Sequence, residues 1–365
     1  MTNKLRFLCL LTLPLVVCTR SVLADELAQT NLVSDIPGMA ANTDPNLKDP
    51  WGVSFSPTSP IWVSDRATGV STLYNGQGTP TPLIVTVPPG APLGPTGQVF
   101  AGGTTFRLNG NPVNFIFDTL GGTIDAWNGG TIATVVATTP GANFTGLATA
   151  NNTLYAANFQ AGGGINVFNS TYAPTTLAGN FTDPNLPAGF APFNIQNVNG
   201  TLYVEYAKVT AGVPVALPGG GGFVDEFDTN GNLIRRLTSN GPLNGPWGVT
   251  AVPGTGFNSF AAGDVLVGNF GNGEINAFDS NGNFLQTLTD ESGNPIVNDG
   301  LWSLAFDPGA PGSNNANALF FTAGINGGND GLFGKIEAVP EPAVSSLAIL
   351  GLLGIGALRF RRRSV

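Results

Sequence analysis

The sequence predicts an all-β fold, a six-bladed β-propeller, with an N-terminal signal peptide and a short C-terminal transmembrane helix at its ends. Three observations support this prediction. The chain carries 51 glycines and 28 prolines in 365 residues, and its central part has almost no helical periodicity. One strand pattern recurs about six times between the turn clusters. Each end of the chain carries a compact apolar run flanked by basic residues.

The first 24 residues predict a signal peptide. Lys4 and Arg6 provide a positively charged start, and residues 7–17 form the apolar segment that follows it. The small residue Ala24, just before Asp25, marks the predicted cleavage site.

The recurring strand reads glycine, any residue, an apolar residue, a polar residue, any residue, an aromatic residue, and then Asn or Asp. The aromatic positions are Tyr74, Trp127, Phe168, Phe227 and Phe278, at intervals of 41 to 59 residues. A sixth copy without the aromatic is placed at residues 334–339. Each copy follows a short apolar strand that ends on a small or polar residue.

A third element lies still earlier in each unit, and its clearest copies read Pro50-Trp51-Gly52-Val53 and Pro246-Trp247-Gly248-Val249. The copy missing from the second unit is placed near residues 104–107. Six units of about four strands predict a propeller over residues 25–338, because a closed ring leaves only short, protected sheet edges. An array of β-sandwiches or a β-helix fits less well, since neither needs a period near 50 residues. We expect the strand near Thr30–Val33 to close the ring by pairing with the last blade.

The last 27 residues, 339–365, predict a sorting tail. An apolar run over residues 343–358 is slightly shorter than the roughly 20 residues that a spanning helix needs. The residues that frame this run are Pro340, Glu341 and Pro342 before it and Arg359, Arg361, Arg362 and Arg363 after it. This layout resembles the PEP-CTERM tail of Gram-negative bacteria. The resemblance implies processing by signal peptidase and an exosortase, transient anchoring in the inner membrane, and a final place at the cell surface or in the extracellular matrix.

Removing both ends makes the chain more acidic. Residues 25–342 keep 7 basic and all 23 acidic residues, a net charge of −16. Nucleic-acid binding is disfavoured, because it depends on neutralising phosphates with basic side chains. A field of this sign suits divalent cations, or simply keeps the protein soluble.

The composition excludes several catalytic chemistries. The chain has no histidine, and its two cysteines, Cys9 and Cys18, lie in the predicted signal peptide. Histidine-based triads, thiolate chemistry and histidine-ligated zinc are therefore absent. Carboxylate chemistry and metal-bound water are what this composition allows, and a non-enzymatic role is the favoured interpretation.

Four polar residues end the short strand that precedes each recurring element: Asp65, Asp118, Asn158 and Asn269. Equivalent positions in a closed propeller form a ring at one height, so these oxygens are expected to meet near the channel. Such ligands suit Ca²⁺ or Mg²⁺, the cofactors that the sequence allows. The other interpretation, which the residues favour, is that they cap strand ends in Asx-turns, with no cofactor bound.

The tryptophans of the repeats, among them Trp51, Trp127, Trp247 and Trp302, are interpreted mainly as core between blades. Stacking on sugars is the alternative.

The pairing of Pro50-Trp51-Gly52-Val53 with Ile61-Trp62-Val63-Ser64-Asp65 resembles the NHL and gluconolactonase-like propellers. Over the whole mature chain, segments such as Asn31–Asp35 and Leu202–Val204 resemble an uncharacterised propeller family that often carries PEP-CTERM tails. The resemblance implies a fold and leaves two functions open. One is a non-catalytic surface module that binds exopolysaccharide or a surface protein. The other is a divalent-metal-dependent hydrolase of the lactonase type.

Overall fold

The computed structural model describes residues 26–210, 213–214, 221–307 and 317–339. The predicted signal peptide with its cleavage site, and the tail from Pro340 onward, lie outside these residues. Within the described part of the chain, no helix is long and apolar enough to cross a membrane.

The described residues form 27 strands and a single helical turn, α1 (Ile325–Gly328). The strands are, in chain order, β1 (Glu26–Ser34), β2 (Asn42–Thr43), β3 (Pro50–Ser54), β4 (Ile61–Asp65), β5 (Val70–Tyr74), β6 (Val85–Thr86), β7 (Pro95–Phe100), β8 (Arg107–Leu108), β9 (Asn111–Pro112), β10 (Phe115–Thr119), β11 (Thr123–Trp127), β12 (Thr134–Thr138), β13 (Phe144–Ala150), β14 (Thr153–Asn158), β15 (Ile165–Phe168), β16 (Phe190–Val198), β17 (Thr201–Thr210), β18 (Val213–Pro214), β19 (Phe223–Phe227), β20 (Leu233–Ser239), β21 (Pro246–Ala251), β22 (Val265–Asn269), β23 (Ile275–Phe278), β24 (Phe284–Thr287), β25 (Leu301–Phe306), β26 (Leu319–Ala323) and β27 (Leu332–Val339).

Six antiparallel sheets form the blades of a propeller, which confirms the predicted fold. Blade 1 is β3-β4-β5-β6, blade 2 is β7-β10-β11-β12, and blade 3 is β13-β14-β15. Blade 4 is β16-β17-β19-β20 with β18 beside β17, blade 5 is β21-β22-β23-β24, and blade 6 is β25-β26-β27-β1 with β2 at its edge. The first strand of each blade contacts the first strand of the next, and β25 returns to β3, so six inner strands surround one axis.

The expected closure of the ring by the N-terminal strand is confirmed. Strand β1 pairs antiparallel with β27, and this pairing makes it the fourth strand of blade 6. Leu27, Leu32 and Val33 of β1 are buried against the core. Gln29 and Asn298 also exchange two side-chain hydrogen bonds of 2.9 and 3.0 Å, which tie β1 to the loop before blade 6. The chain therefore uses its first strand to complete its last sheet.

The recurring aromatic residues lie in the core between blades. Tyr74, Phe168, Phe227 and Phe278 are fully buried, and Trp127 is nearly so. The sixth copy, however, begins at Gly331 rather than at residue 334. In the pairing of β26 with β27, Leu319 faces Ile336, as Leu202 faces Phe227 in blade 4. The pattern alone favoured the later start, because it places the polar Glu337 at the fourth position, where the earlier start places Gly334.

The predicted position of the missing inner strand was wrong. Residues 104–107 belong to a loop and to the start of the small β8–β9 hairpin. The inner strand of blade 2 is β7, where Pro95-Thr96-Gly97 takes the place of Pro50-Trp51-Gly52. Each inner strand has an irregular register at this point, which is typical of a β-bulge.

A glycine follows the bulged position in four of the six inner strands for a steric reason. A Cβ at Gly52, Gly97 or Gly248 would overlap the backbone of the neighbouring blade. The inner strands therefore approach one another more closely there than a side chain would allow.

Candidate functional site

The four residues predicted to form a metal ring sit where strands end, and they make different contacts. Asp65 accepts a hydrogen bond from the Thr72 hydroxyl at 2.7 Å. Asp118 accepts one from the Thr96 hydroxyl at 2.8 Å and one from the Gly97 amide at 2.6 Å. Both carboxyl groups are fully buried.

The two asparagines of the predicted ring hold the loops that link one blade to the next. The Asn158 side chain accepts a hydrogen bond from the Asn143 amide at 2.9 Å. The Asn269 side chain accepts from the Asn244 amide at 3.0 Å and donates to the Pro242 carbonyl at 2.8 Å. Both side chains satisfy backbone groups, as the strand-capping interpretation expects, but their partners lie 15 to 27 positions away in the chain, so these contacts are not Asx-turns.

The strand register changes which residues are equivalent. Asp65, Asn158 and Asn269 pair with the first residue of their inner strands, whereas in blade 2 that partner belongs to Thr119. Asp118 is therefore one position out of step. Because successive side chains of a strand point to opposite faces of the sheet, Asp118 lies on the other face of its blade from Asp65 in blade 1.

The buried carboxyl groups keep unused oxygens. Asp65 Oδ1 and Asp118 Oδ2 have no hydrogen-bond partner among the residues that the structure describes. Burial raises the pKa of Asp65 well above its usual value and that of Asp118 to about 7. Among the described residues, no three Asp, Glu, Cys or His side chains come together as a cation site. A metal held by Asp65, Asp118, Asn158 and Asn269 thus stays a prediction.

The largest pocket that we describe lies at one end of the central channel, and we call it the channel pocket. Its volume is about 460 Å³. The lining residues come from all parts of the ring: Asp49, Trp51, Arg66, Leu120, Asn143, Thr145, Phe159, Phe193, Phe270, Gly271, Asp299, Gly300, Trp302, Gly324, Gly327 and Gly328. Most of the wall is apolar, and a few polar groups stand among the aromatic rings. Both properties are typical of small-molecule sites.

Aromatic side chains from separate blades form the floor of the channel pocket. Trp51 and Trp302 stack with ring centroids 3.6 Å apart and planes inclined by 20°. Phe270 lies 4.3 Å from Trp302 between centroids, and Trp247 meets both Trp51 and Trp302 edge-on. The bulged position of the inner strand is occupied by Trp51, Trp247 and Trp302, and in blade 4 by Phe193. The bulges therefore bring these rings together at the axis.

Asp49 holds this floor in place. Its carboxylate accepts hydrogen bonds from the indole nitrogens of Trp51 at 2.8 Å and Trp302 at 3.2 Å. It also pairs with the Arg66 guanidinium. Both oxygens of a buried carboxylate are thus occupied, which is the arrangement that offsets the cost of burying it.

The rim of the channel pocket carries polar side chains beside glycines and partly exposed apolar residues. Arg66, Asn143 and Asp299 supply donors and acceptors. Gly324 also lines the pocket, and it leaves no room for a side chain, because a Cβ there would overlap Asp49. Leu120 and Phe270 are only partly buried, and they give the wall its accessible apolar surface.

A smaller cavity of about 270 Å³ lies beyond the aromatic floor, among the later residues of the inner strands. Gln98, Asn194, Asn197 and Ser303 line it, and Trp247 borders it as well. The aromatic floor therefore separates two cavities along the channel.

The prediction from sequence came within one residue of the channel pocket in three blades. Arg66, Phe159 and Phe270 each directly follow a residue of the predicted ring. The signal that marks them is position alone, since the residue after the second strand of a blade lies at the axis. The tryptophans were predicted mainly as core between blades, and Trp51, Trp247 and Trp302 do lie in one buried cluster with residues of other blades. The sequence did not predict that this cluster lies at the axis.

Solved structures of the same architecture include a streptogramin B lyase, with a TM-score of 0.52 and 14% identity over 87% of this chain and 98% of that chain. The virginiamycin B lyase of Staphylococcus aureus gives a TM-score of 0.51 and 15% identity over 86% of this chain and 99% of that chain. The gluconolactonase XC5397 from Xanthomonas campestris, at 0.47 and 13% identity over 80% and 87%, is too distant to support an argument. These likenesses show a shared fold alone.

No protein-family model matches the sequence. Curated relatives come from Acanthamoeba polyphaga mimivirus. Uncharacterised protein L690 is 29% identical over 330 residues, which is 84% of this chain and 84% of that protein. Uncharacterised protein R648 is 33% identical over 327 residues, which is 84% of this chain and 78% of that protein. The chain therefore belongs to the same protein family as mimivirus protein R648.

Proposed function

We propose that the protein is a non-catalytic binding module that holds one saccharide unit of an extracellular polymer in the channel pocket. The observation that carries this proposal is the aromatic floor fixed by Asp49 beneath a rim of polar side chains. A sugar ring has one apolar face, which suits an aromatic wall, and hydroxyl groups, which suit the guanidinium, amide and carboxylate groups of the rim. The cavity is large enough for one such ring with its substituents.

The charge of the protein favours an uncharged polymer as the ligand. Residues 25–342 carry a net charge of −16, so an anionic polysaccharide would be repelled at a distance. Arg66 is the only basic side chain in the described lining, and Asp49 already pairs with it. We therefore propose a neutral exopolysaccharide.

The place of action is also a proposal. The signal at residues 1–24 and the PEP-CTERM-like tail at residues 339–365 support export by signal peptidase, transient inner-membrane anchoring, exosortase processing and delivery to the cell surface or matrix. Both segments lie almost entirely outside the described residues, and the viral origin of the curated relatives does not support this route.

A glycan array tests the binding proposal. We expect binding to neutral glycans, and we expect Phe270→Ala and Arg66→Ala each to weaken it about tenfold, a loss of about 1.4 kcal/mol. Phe284→Ala is the matched control, because Phe284 lies on the outer strand β24 with 48% of its surface exposed. Binding that neither pocket variant changes would contradict the assignment of the site.

The second candidate function is the divalent-metal-dependent hydrolase of the lactonase type. Its support is the unpartnered oxygen on each of Asp65 and Asp118, since a cation is one partner that such oxygens accept. Calorimetry with Ca²⁺ and Mg²⁺ separates the two functions. The hydrolase would be supported by binding of Ca²⁺ or Mg²⁺ that Asp65→Ala and Asn158→Ala abolish, together with lactone turnover. If the protein binds neither cation, the hydrolase proposal is wrong.

A further inference from the structure

The outermost strand of blade 2, β12, has an open edge. It pairs with β11 on its inner side, and no other described strand pairs with its outer side. Backbone N–H and C=O groups on the outer side of such a strand are free to bind a further strand. The side chains of Thr134, Val135 and Thr138 are exposed. The edge of blade 2 is therefore accessible to another chain.

This edge lacks the charges that ordinarily keep edge strands apart. Natural proteins protect edge strands with charged side chains or proline, and β12 has neither. Residues 126–182, which include β12 and the whole of blade 3, contain no Asp, Glu, Lys or Arg. By contrast, the outer strand of blade 4, β20, carries Arg235 and Arg236, and that of blade 5, β24, lies between Asp279 and Asp290. The edge of blade 2 is thus the less protected one.

Exposed apolar side chains lie beside the open edge. Ile132 is 63% exposed, more than any other large apolar side chain of the described chain, and Val135 is 42% exposed. Ile84 of blade 1, at 38%, is close by in the fold, because backbone hydrogen bonds of 2.8 and 2.9 Å join Thr86 to residues 131–133. Apolar side chains grouped on a surface in this way are typical of protein interfaces.

The charge of the protein bears on which partner this surface fits. Residues 25–342 carry a net charge of −16, so two copies repel one another at a distance. The repulsion is smallest where the approaching segments are uncharged, as residues 126–182 are. The carboxyl group paired with β12, that of Asp125 opposite Val135, is fully buried, and burial raises its pKa to about 7. A second copy therefore meets no exposed carboxylate of this segment.

We propose that two copies of the protein associate through antiparallel pairing of their β12 strands. A two-fold axis makes this contact self-complementary, because each strand offers the other the same donors and acceptors. Ile132 and Val135 of each copy are covered in the same contact. The register shift between β11 and β12 makes the strand irregular, so we expect a weak dimer, with a Kd of about 1–100 µM.

Sedimentation velocity at increasing protein concentration tests this proposal. We expect a monomer–dimer equilibrium that strengthens about threefold or more as NaCl is raised from about 20 mM to about 500 mM, because salt screens the repulsion between the copies. Ile132→Lys and Val135→Lys should each weaken the dimer about tenfold or more, since each places two like charges in one contact. Ile234→Lys is the matched control, because Ile234 is 55% exposed on the outer strand β20 of blade 4.

Hydrogen exchange locates the contact. The amides of residues 134–138 should exchange more slowly at high protein concentration than at low concentration, whereas those of β20 should not change. The proposal is overturned by a protein that stays monomeric, or by a dimer that Ile132→Lys and Val135→Lys leave intact. A dimer without slower exchange in β12 overturns it as well. None of these results depends on glycan binding, and Phe270→Ala, in the channel pocket, should form the dimer as the unchanged protein does.

Discussion

Asp49 occupies the most constrained position in the channel. Its backbone has a φ of +47°, in the left-handed region where Asp and Asn are tolerated better than most residues. Its carboxylate joins Trp51 of blade 1, Trp302 of blade 6 and Arg66. One side chain therefore connects the first and last blades at the axis, and the strain of its backbone is offset by contacts that no other residue type supplies together.

Asp49→Asn tests this role while keeping a residue that tolerates the same backbone. The amide cannot accept two indole hydrogen bonds and also neutralise Arg66. We expect the free energy of unfolding to fall by about 2–4 kcal/mol. Urea denaturation followed by tryptophan fluorescence measures it. Asp279→Asn is the control, because Asp279 caps a surface hairpin by accepting from the amides of Asn281 and Asn283, which Asn also does. Equal stability of the two variants would contradict the role given to Asp49.

The role of Asp49, which directly precedes the Pro-Trp-Gly element, could not be predicted from the sequence. Its partner Trp302 is 253 positions away in the chain. That Asn158 and Asn269 would bond backbone groups was easier to predict, because short polar side chains at strand ends commonly do so. Their partners, Asn143 and Asn244, are 15 and 25 positions away and were not predicted. The kind of hydrogen bond that a side chain makes follows from its chemistry, whereas its partner across the ring is set only when the ring closes.

At the scale of elements, strand β1 contributes a large part of the free energy that stabilises the closed ring. It contributes three buried apolar side chains and a ladder with β27, and burial of each such side chain is worth about 1.5–3 kcal/mol. The sum is comparable with the whole stability of a typical protein, about 5–15 kcal/mol.

Removing β1 should therefore be severe. A chain that starts at Asp44 is expected to melt at least 10 °C below one that starts at Asp25, or to be unfolded at room temperature, about the effect of several kcal/mol. Thermal unfolding by circular dichroism measures the difference. The single variant Val33→Ala is a milder test, and it should lower stability by about 1–3 kcal/mol. A truncated chain that melts like the longer one would show that the ring does not need this strand.

The second and third strands of each blade could be predicted from the sequence. The inner strands, and the register in which neighbouring strands pair, were harder to predict. The repeated apolar and aromatic positions marked the former, because inter-blade packing demands them in every blade. The inner strand of blade 2 was missed because Thr96 replaces the tryptophan that marks blades 1, 5 and 6. The predicted equivalence of Asp118 with Asp65 was wrong by one residue, and the predicted start of the sixth repeat was wrong by three. Pairing with the neighbouring strand fixes these offsets, and the pattern within one strand does not contain that information.

At the scale of the whole molecule, buried acids dominate the electrostatics. Burial raises the pKa of Asp118 and Asp125 to about 7 and that of Asp225 to about 6, and it raises that of Glu205 well above its usual value. Within the described part of the chain, neither carboxyl oxygen of Glu205 has a hydrogen-bond partner. The folded state therefore binds more protons than the unfolded state between about pH 4 and pH 7.

The free energy of unfolding should consequently fall as the pH rises from 5 to 8, opposite to the usual behaviour of surface carboxylates. Each unit of raised pKa is worth about 1.4 kcal/mol, so Asp118 alone should contribute a decrease of about 2 kcal/mol or more. Urea denaturation at both pH values measures it, and Asp118→Asn should flatten the dependence. The exposed carboxylates with lowered pKa, Asp279 and Asp290, titrate below this window. Stability that rises between pH 5 and pH 8 would contradict the prediction.

The pairing of β1 with β27 brings Glu26 opposite Val339, so the two ends of the described chain are neighbours in one sheet. A propeller closed in this way has no structural need for its beginning to lie in blade 6. A short peptide could join the two ends and a new start could be opened in a surface loop of another blade, such as the one around Gly254, with every strand pair retained. The order of the blades along the gene is thus one of several circular permutations that the same ring accommodates.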